Sequence, residues 1–156
     1  MEVFVEPILP EPCLFIFGGG HISLFLAKMG KMVGFKVVVI DDRPEFANPE
    51  RFPEADEVIA QDFPLAFPRL TITRSSYITI VTRGHLQDET VLEWAVKTDA
   101  DYIGMIGSRK KNQAVFSNLR ERGVPEKKLK EVHAPIGLNI DAKTPEEIAV
   151  ITCVKF

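Results

Sequence analysis

The stretch FIFGGGHISLFL, residues 15 to 26, sets three consecutive glycines between two apolar runs. Gly18, Gly20 and Ser23 fall on the G-x-G-x-x-small spacing that opens a helix directly after a strand, with Gly19 and His21 completing the turn. At that spacing the first glycine allows a tight turn, the second lets main chain approach a pyrophosphate, and the small third residue lets helix and strand pack closely. Amide groups at a helix start attract the anion. Asp41, about twenty residues on at the end of the next apolar run, is placed to accept from a ribose hydroxyl. The same glycines would also serve as a plain structural turn in a sheet that holds no ligand.

Three further clusters have polar side chains where a ligand could meet them. In IDDRPEFA, Asp41 favours a free 2′-hydroxyl and Arg43 accommodates a 2′-phosphate. Asp42, Arg43 and Pro44 read equally well as a turn with a local ion pair. VTRGH places Thr82, Arg83, Gly84 and His85 after one apolar run, and IGSRKK places Gly107, Ser108 and Arg109 after another. A cation at a helix start is disfavoured by the dipole unless an anion compensates, so Ser108 and Arg109 are candidate anion ligands. Their plain reading is an N-cap and a solvated charge. Lys110 and Lys111 read as surface residues, and His133 has no evident partner. No catalytic residue is assigned, and no His, Cys, Asp and Glu grouping has metal-ligand spacing.

The elements that must hold these residues follow from two alternating periodicities. CLFIF (13–17), KVVVID (36–41), EVIA (57–60), YITIVT (77–82) and YIGMIG (102–107) read as buried parallel strands. Between them, Ile22, Phe25, Leu26, Met29, Met32 and Val33 recur at helical steps and predict one apolar helix face. Val91, Leu92, Ala95 and Val96 predict a second helix, and Val115, Phe116 and Leu119 a third. Two prolines limit PLAFPRL to a turn or two. Thr144, Pro145 and Glu147 form a start signal for a last helix. The expected fold is α/β: a Rossmann-like, doubly wound, mostly parallel sheet with helices on both faces, in a single domain. Residues 1–12 are expected to be an extended segment, and 13–156 the nucleotide- or cofactor-binding domain. Ligands of such sheets sit beyond the carboxyl ends of the strands, where all four clusters fall.

Composition narrows the function classes. With 156 residues, 46% hydrophobic and 26% charged, the chain can bury a core without staples. A net charge of −3 argues against broad binding to nucleic-acid phosphates. Cys13 and Cys153 stand at opposite ends and imply neither a disulfide framework nor a zinc site, which fits a reducing cytoplasm. No window has the roughly 18 apolar residues of a membrane span, so the expected location is cytoplasmic. A dehydrogenase of the one-domain kind would need Tyr-x-x-x-Lys, and neither Tyr77 nor Tyr102 has lysine four residues later.

The blocks FIFGGGHIS, VVVIDDRPEFANPERFPEAD, YITIVTRGHLQDE, YIGMIGSRKK and PIGLNIDAKTPEEIAV, in that order, resemble the C-terminal Rossmann domain of the XdhC/CoxI family of xanthine dehydrogenase accessory proteins. The resemblance covers residues 5 to 150. It implies a maturation factor, more an accessory protein than an enzyme, that binds molybdenum cofactor, as molybdopterin or its cytidine dinucleotide, and hands it to a molybdenum hydroxylase client. A cysteine desulfurase is a further implied partner. NAD(P) is the alternative ligand, in a sensor or regulatory domain or, as a third reading, in an NAD(P)-dependent oxidoreductase. Longer members carry a cysteine-containing N-terminal module that these 156 residues do not include. The family's last helix usually runs on past ITCVKF, so a short last helix with uncovered apolar surface is expected, and a homodimer to cover it.

Overall fold

Apolar runs without polar alternation form strands buried on both faces, and here they make one parallel sheet. The computed structural model describes residues 1, 3–6 and 10–156; residues 2 and 7–9 of the expected extended segment lie outside the described residues. The strands are β1 (Cys13–Phe17), β2 (Lys36–Asp41), β3 (Glu57–Ala60), β4 (Ser76–Ile80) and β5 (Tyr102–Met105). Their order is β3-β2-β1-β4-β5 and every pairing is parallel. The direction of winding therefore reverses between β1 and β4, which is where an open parallel sheet leaves a crevice at its carboxyl edge. β4 and β5 end two residues earlier than the apolar runs suggest, because the chain there turns outward into the helices that follow.

The helices are α1 (His21–Met32), α2 (Phe63–Ala66), α3 (His85–Ala95), α4 (Arg109–Glu121), α5 (Glu126–Lys130) and α6 (Pro145–Cys153). Alternate residues of β1 feed opposite cores. Leu14 and Ile16 pack with Leu26 and Ala27 of α1 and Ala149 of α6, whereas Phe15 and Phe17 pack with Phe63, Leu92 and Leu119 on the side of α2, α3 and α4. The start signal of α6 is a complete capping box: the Glu147 N–H donates to Thr144 Oγ1 and the Thr144 N–H to the Glu147 carboxylate. Beyond α6, Phe156 turns back onto Phe35, Tyr77 and Tyr102, while Val150 and Val154 remain exposed. Past β5, residues 133–136 run alongside as a short parallel bridge, with the Met105 N–H donating to the His133 carbonyl.

The expected apolar face of α1 holds at Ile22, Phe25, Leu26 and Met29, which lie in or against the core, and is corrected at Met32 and Val33. The buried residues of α1 are Ser23, Leu26, Ala27 and Gly30, whereas Met32 is 83% exposed and Val33 58% exposed. Small residues bring α1 close to the sheet, and a methyl on Gly30 would stand 2.8 Å from Leu14 Cδ2. Hydrophobicity alone singles out the large side chains; close approach selects the small ones. Gly30→Leu is expected to destabilise the fold by about 1–3 kcal/mol through overpacking, and Met32→Ser to stay within about 0.5 kcal/mol of the parent. Urea unfolding of both variants checks this, and a larger loss in Met32→Ser would contradict the assignment.

Candidate functional site

The site begins where β1 runs out. Gly18 has φ +112°, and a side chain there would run into the Val81 carbonyl oxygen at the end of β4. At Gly19 a Cβ would stand 2.5 Å from the Phe46 carbonyl oxygen. Gly20 is different: among the described residues nothing lies within 4 Å of where its Cβ would be, and its φ of −74° suits any residue. Two glycines of the turn are thus demanded by the fold, and the third leaves open space. Ser23 is buried and its hydroxyl donates to the Gly18 carbonyl at 2.5 Å, which closes the turn.

Gly20 is also the N-cap of α1, and no side chain caps that helix. Of the four helices longer than eight residues among the described residues, α6 has its capping box, α4 is capped by Ser108, and α3 has Asp88 in its first turn. α1 has neither a capping side chain nor an acid in its first turn. Its first amide groups therefore retain the partial positive charge of an unsatisfied helix start.

Asp41 holds this turn in place. Its Oδ2 accepts from the Gly19 N–H at 2.7 Å and from Arg43 Nη2 at 3.0 Å, and its Oδ1 accepts from the Arg43 main chain at 3.0 Å and Nε at 2.9 Å. All the acceptor positions of a carboxylate are in use. The residue is 2% exposed, so in this arrangement a ribose hydroxyl could bind Asp41 only by displacing one of these donors. Burial alone would push its carboxyl up, but the hydrogen bonds from the Arg43 side chain and from the Gly19 and Arg43 main chain hold it below the ordinary carboxylate range.

The chain after β2 folds over the turn and sets Phe46 and Arg51, which the sequence pattern does not single out, beside Arg43. The Arg43 guanidinium lies 3.7 Å above the Phe46 ring, and the Arg51 guanidinium 5.1 Å from the same ring. Arg51 Nε donates to the Gly19 carbonyl at 3.0 Å, which fixes the orientation of that peptide. No local signal marks Arg51, since it lies far from Gly19 in the chain. On the opposite flank, Arg83 Nη2 donates to Asp42 Oδ2 at 2.8 Å. His21 and His85 are both exposed, at the first positions of α1 and α3.

The exits of β4 and β5 share a buried polar contact. Thr82 Oγ1 donates to Asp88 Oδ1 at 2.6 Å, and Lys111 Nζ stands 3.5 Å from Asp88 Oδ2. Burial pushes the Asp88 carboxyl up, against the Thr82 hydrogen bond and the Lys111 charge. Lys111, which reads as a surface residue, is therefore a partner for a buried acid. Gly84 is the N-cap of α3, and Gly107 has φ +130° with its carbonyl accepting from Asn112 Nδ2. Gly107, Ser108 and Arg109 follow β5, the strand at the edge of the sheet. They line a cavity of about 610 Å³ beyond β5, walled by Ile136, Leu138 and Ile151. The structure thus divides the expected residues into Gly18–Ser23, Asp41–Arg43 and Thr82–His85 around β1, and Gly107–Arg109 at the sheet edge. Among the described residues, no three or more His, Cys, Asp or Glu side chains cluster as a metal would require, and no helix is long and apolar enough to cross a membrane.

The XdhC Rossmann domain model matches residues 14–153. This chain belongs to that family. It is 34% identical over 151 residues to the uncharacterized protein YqeB of Escherichia coli strain K12, covering 96% of this chain and 28% of that protein. It is 29% identical over 154 residues to a Bacillus subtilis strain 168 protein described as a probable xanthine dehydrogenase subunit, covering 96% of this chain and 43% of that one. A crystal structure described as a xanthine dehydrogenase from Bacillus halodurans superposes with a TM-score of 0.79 at 34% identity, covering 94% of this chain and 41% of that one. The chain spans less than half the length of each of these relatives.

The Asp41 clasp yields a test with a defined sign. Because its folded carboxyl titrates below the unfolded value, its contribution is present above the ordinary carboxylate range and is lost as pH falls through the depressed folded value. Asp41→Asn is expected to lower stability at neutral pH by about 2 kcal/mol and to flatten the fall in stability between neutral and acid pH. Urea unfolding across that range checks it. Parallel curves for parent and variant would contradict it.

Proposed function

We propose that this chain is the cofactor-binding Rossmann module of an accessory factor for a xanthine dehydrogenase-type molybdenum hydroxylase, and that it takes the phosphate or diphosphate of its ligand on the glycine turn. The observation that carries the reading is the start of α1, where uncapped amides meet open space at Gly20. A phosphate oxygen can accept from those amides and is favoured by the helix dipole. Arg51, set against the turn at the Gly19 carbonyl, adds positive potential from behind it, while the charge of Arg43 is matched by Asp41.

Molybdenum cofactor, as molybdopterin or its cytidine dinucleotide, fits this donor set, because the residues present are amides and guanidinium groups suited to phosphate and not a set of metal ligands. When bound, that group would supply the redox chemistry of the client enzyme. This chain's residues would hold its phosphate, orient it through Gly18–Ser23 and shield it beneath the loop after β2. The cavity beyond β5, with apolar walls and the start of α4, has the size of a small-ligand pocket and offers room for a ring system. The family, and the xanthine dehydrogenase names of two relatives, support the choice of client. The wider reading is a non-catalytic cytoplasmic factor, paired as a homodimer and working with the client and a cysteine desulfurase. NAD(P) held by a sensor domain is the second reading, and it is favoured by the same turn and by the β3-β2-β1-β4-β5 order.

Denaturing protein purified without added ligand and identifying what is released separates the two. Pterin with molybdenum supports the accessory reading, and NAD(P) alone supports the sensor. Independently, Gly20→Val is expected to fold with a loss of no more than about 1 kcal/mol, the cost of valine at an N-cap with open space around it, and to weaken calorimetric binding of inorganic pyrophosphate at least about tenfold. Unchanged affinity would contradict the reading.

A further inference from the structure

Asp42 follows β2 and Arg83 follows β4, the two strands that flank β1. Neighbouring strands stand about 4.8 Å apart, so the two strand ends are separated by the width of β1, and β1 ends in the glycine turn. Arg83 nevertheless reaches Asp42 Oδ2 at 2.8 Å. Gln87 Nε2, in the first turn of α3, approaches the same oxygen at 3.4 Å, and Arg43 Nε stands 3.9 Å from Oδ1. The ion pair therefore crosses the carboxyl edge of the sheet at the switch point.

We propose that the Asp42–Arg83 ion pair bars the nucleotide crevice and is opened by a phosphate-bearing ligand, to which Arg83 transfers. The proposal rests on the reading of the glycine turn as a diphosphate site. An extended nucleotide with its phosphates at α1, reaching toward the ends of β2 and β4, follows the line that the ion pair occupies. The two sides of the bar are unequal. The Asp42 side chain is 18% exposed and keeps Gln87 and Arg43 beside it, whereas the Arg83 side chain is 47% exposed and is tied only at its tip. Arg83 is the side that moves.

The bar makes the crevice selective by chemical class. A nucleoside must separate the two charges and leaves Arg83 with no anion, whereas a phosphate offers the guanidinium bonds at least as strong as those to Asp42. Asp42 is then left to accept from hydroxyl groups of the ligand, the function that the fully occupied Asp41 does not offer.

Calorimetric titration with inorganic pyrophosphate tests this on the intact chain. Asp42→Asn removes the bar and is expected to bind about threefold more tightly, the scale of a part-exposed ion pair. Arg83→Gln removes the bar together with the phosphate ligand and is expected to bind roughly tenfold more weakly. Glu45→Gln, which changes net charge by the same amount without touching the bar, is expected to shift affinity by less than about twofold. An Asp42→Asn affinity no tighter than the parent's, or equal tightening in Glu45→Gln, overturns the bar. If Gly20→Val abolishes binding while Asp42→Asn leaves it unchanged, the bar alone is overturned. If Gly20→Val does not lower affinity, the diphosphate reading falls and takes the bar with it.

Discussion

The carboxylate of Asp41 is the tie on which the candidate site depends. It joins the end of β2 to the middle of the glycine turn through the Gly19 N–H, and it holds Arg43 by its main chain and its guanidinium. A charge this deeply buried is tolerated because every acceptor position has a donor. Arg43 in turn covers Phe46, whose carbonyl leaves no room for a side chain at Gly19, and Arg51 grips the Gly19 carbonyl from the same loop. The turn is therefore held by its N–H, by its carbonyl and by steric contact. Preorganised amides are what an anion site needs, since the cost of ordering them is met in folding and not in binding.

Charge is arranged outward from that tie in alternation. Asp41, Arg43, Asp42 and Arg83 form a string from the buried end of β2 to the exposed exit of β4. Each internal member has partners on both sides, while Arg83 ends the string in solvent. A second polar contact, between Asp88 and Lys111, ties the start of α3 to the start of α4. The exits of β2 and β4 and the starts of α3 and α4 are thus tied by separate groups.

Much of this is legible in the residues, and what is not legible has a common cause. The five strands, the glycine turn and the Thr144 start of α6 are local: hydropathy over four to six residues, or hydroxyl, proline and acid at fixed offsets, determine them. On α1 the expected Ile22, Phe25, Leu26 and Met29 meet the core, but Ala27 and Gly30 are missed and Met32 and Val33 fall outside it, because close packing against Leu14 selects small residues that carry little hydropathy signal. Arg51, the Asp88–Lys111 contact and the cavity beyond β5 join segments distant in the chain, and no spacing rule reaches that far. Asp41 shows the limit most clearly. Its position at the end of the second strand is evident from the residues, but its occupation by Gly19 and Arg43 depends on three-dimensional neighbours. The same residue type at the same place serves either as a ribose acceptor or as a structural clasp.

Main-chain amides at the start of α1 are proposed to receive a phosphate anion. Titrating isotope-labelled protein with inorganic pyrophosphate and following amide resonances tests it at the atoms concerned. Saturable shifts are expected, largest at Gly20, His21 and Ile22, with smaller ones at Arg83. Shifts confined to the start of α4, or no saturable shift at the glycine turn, would contradict it.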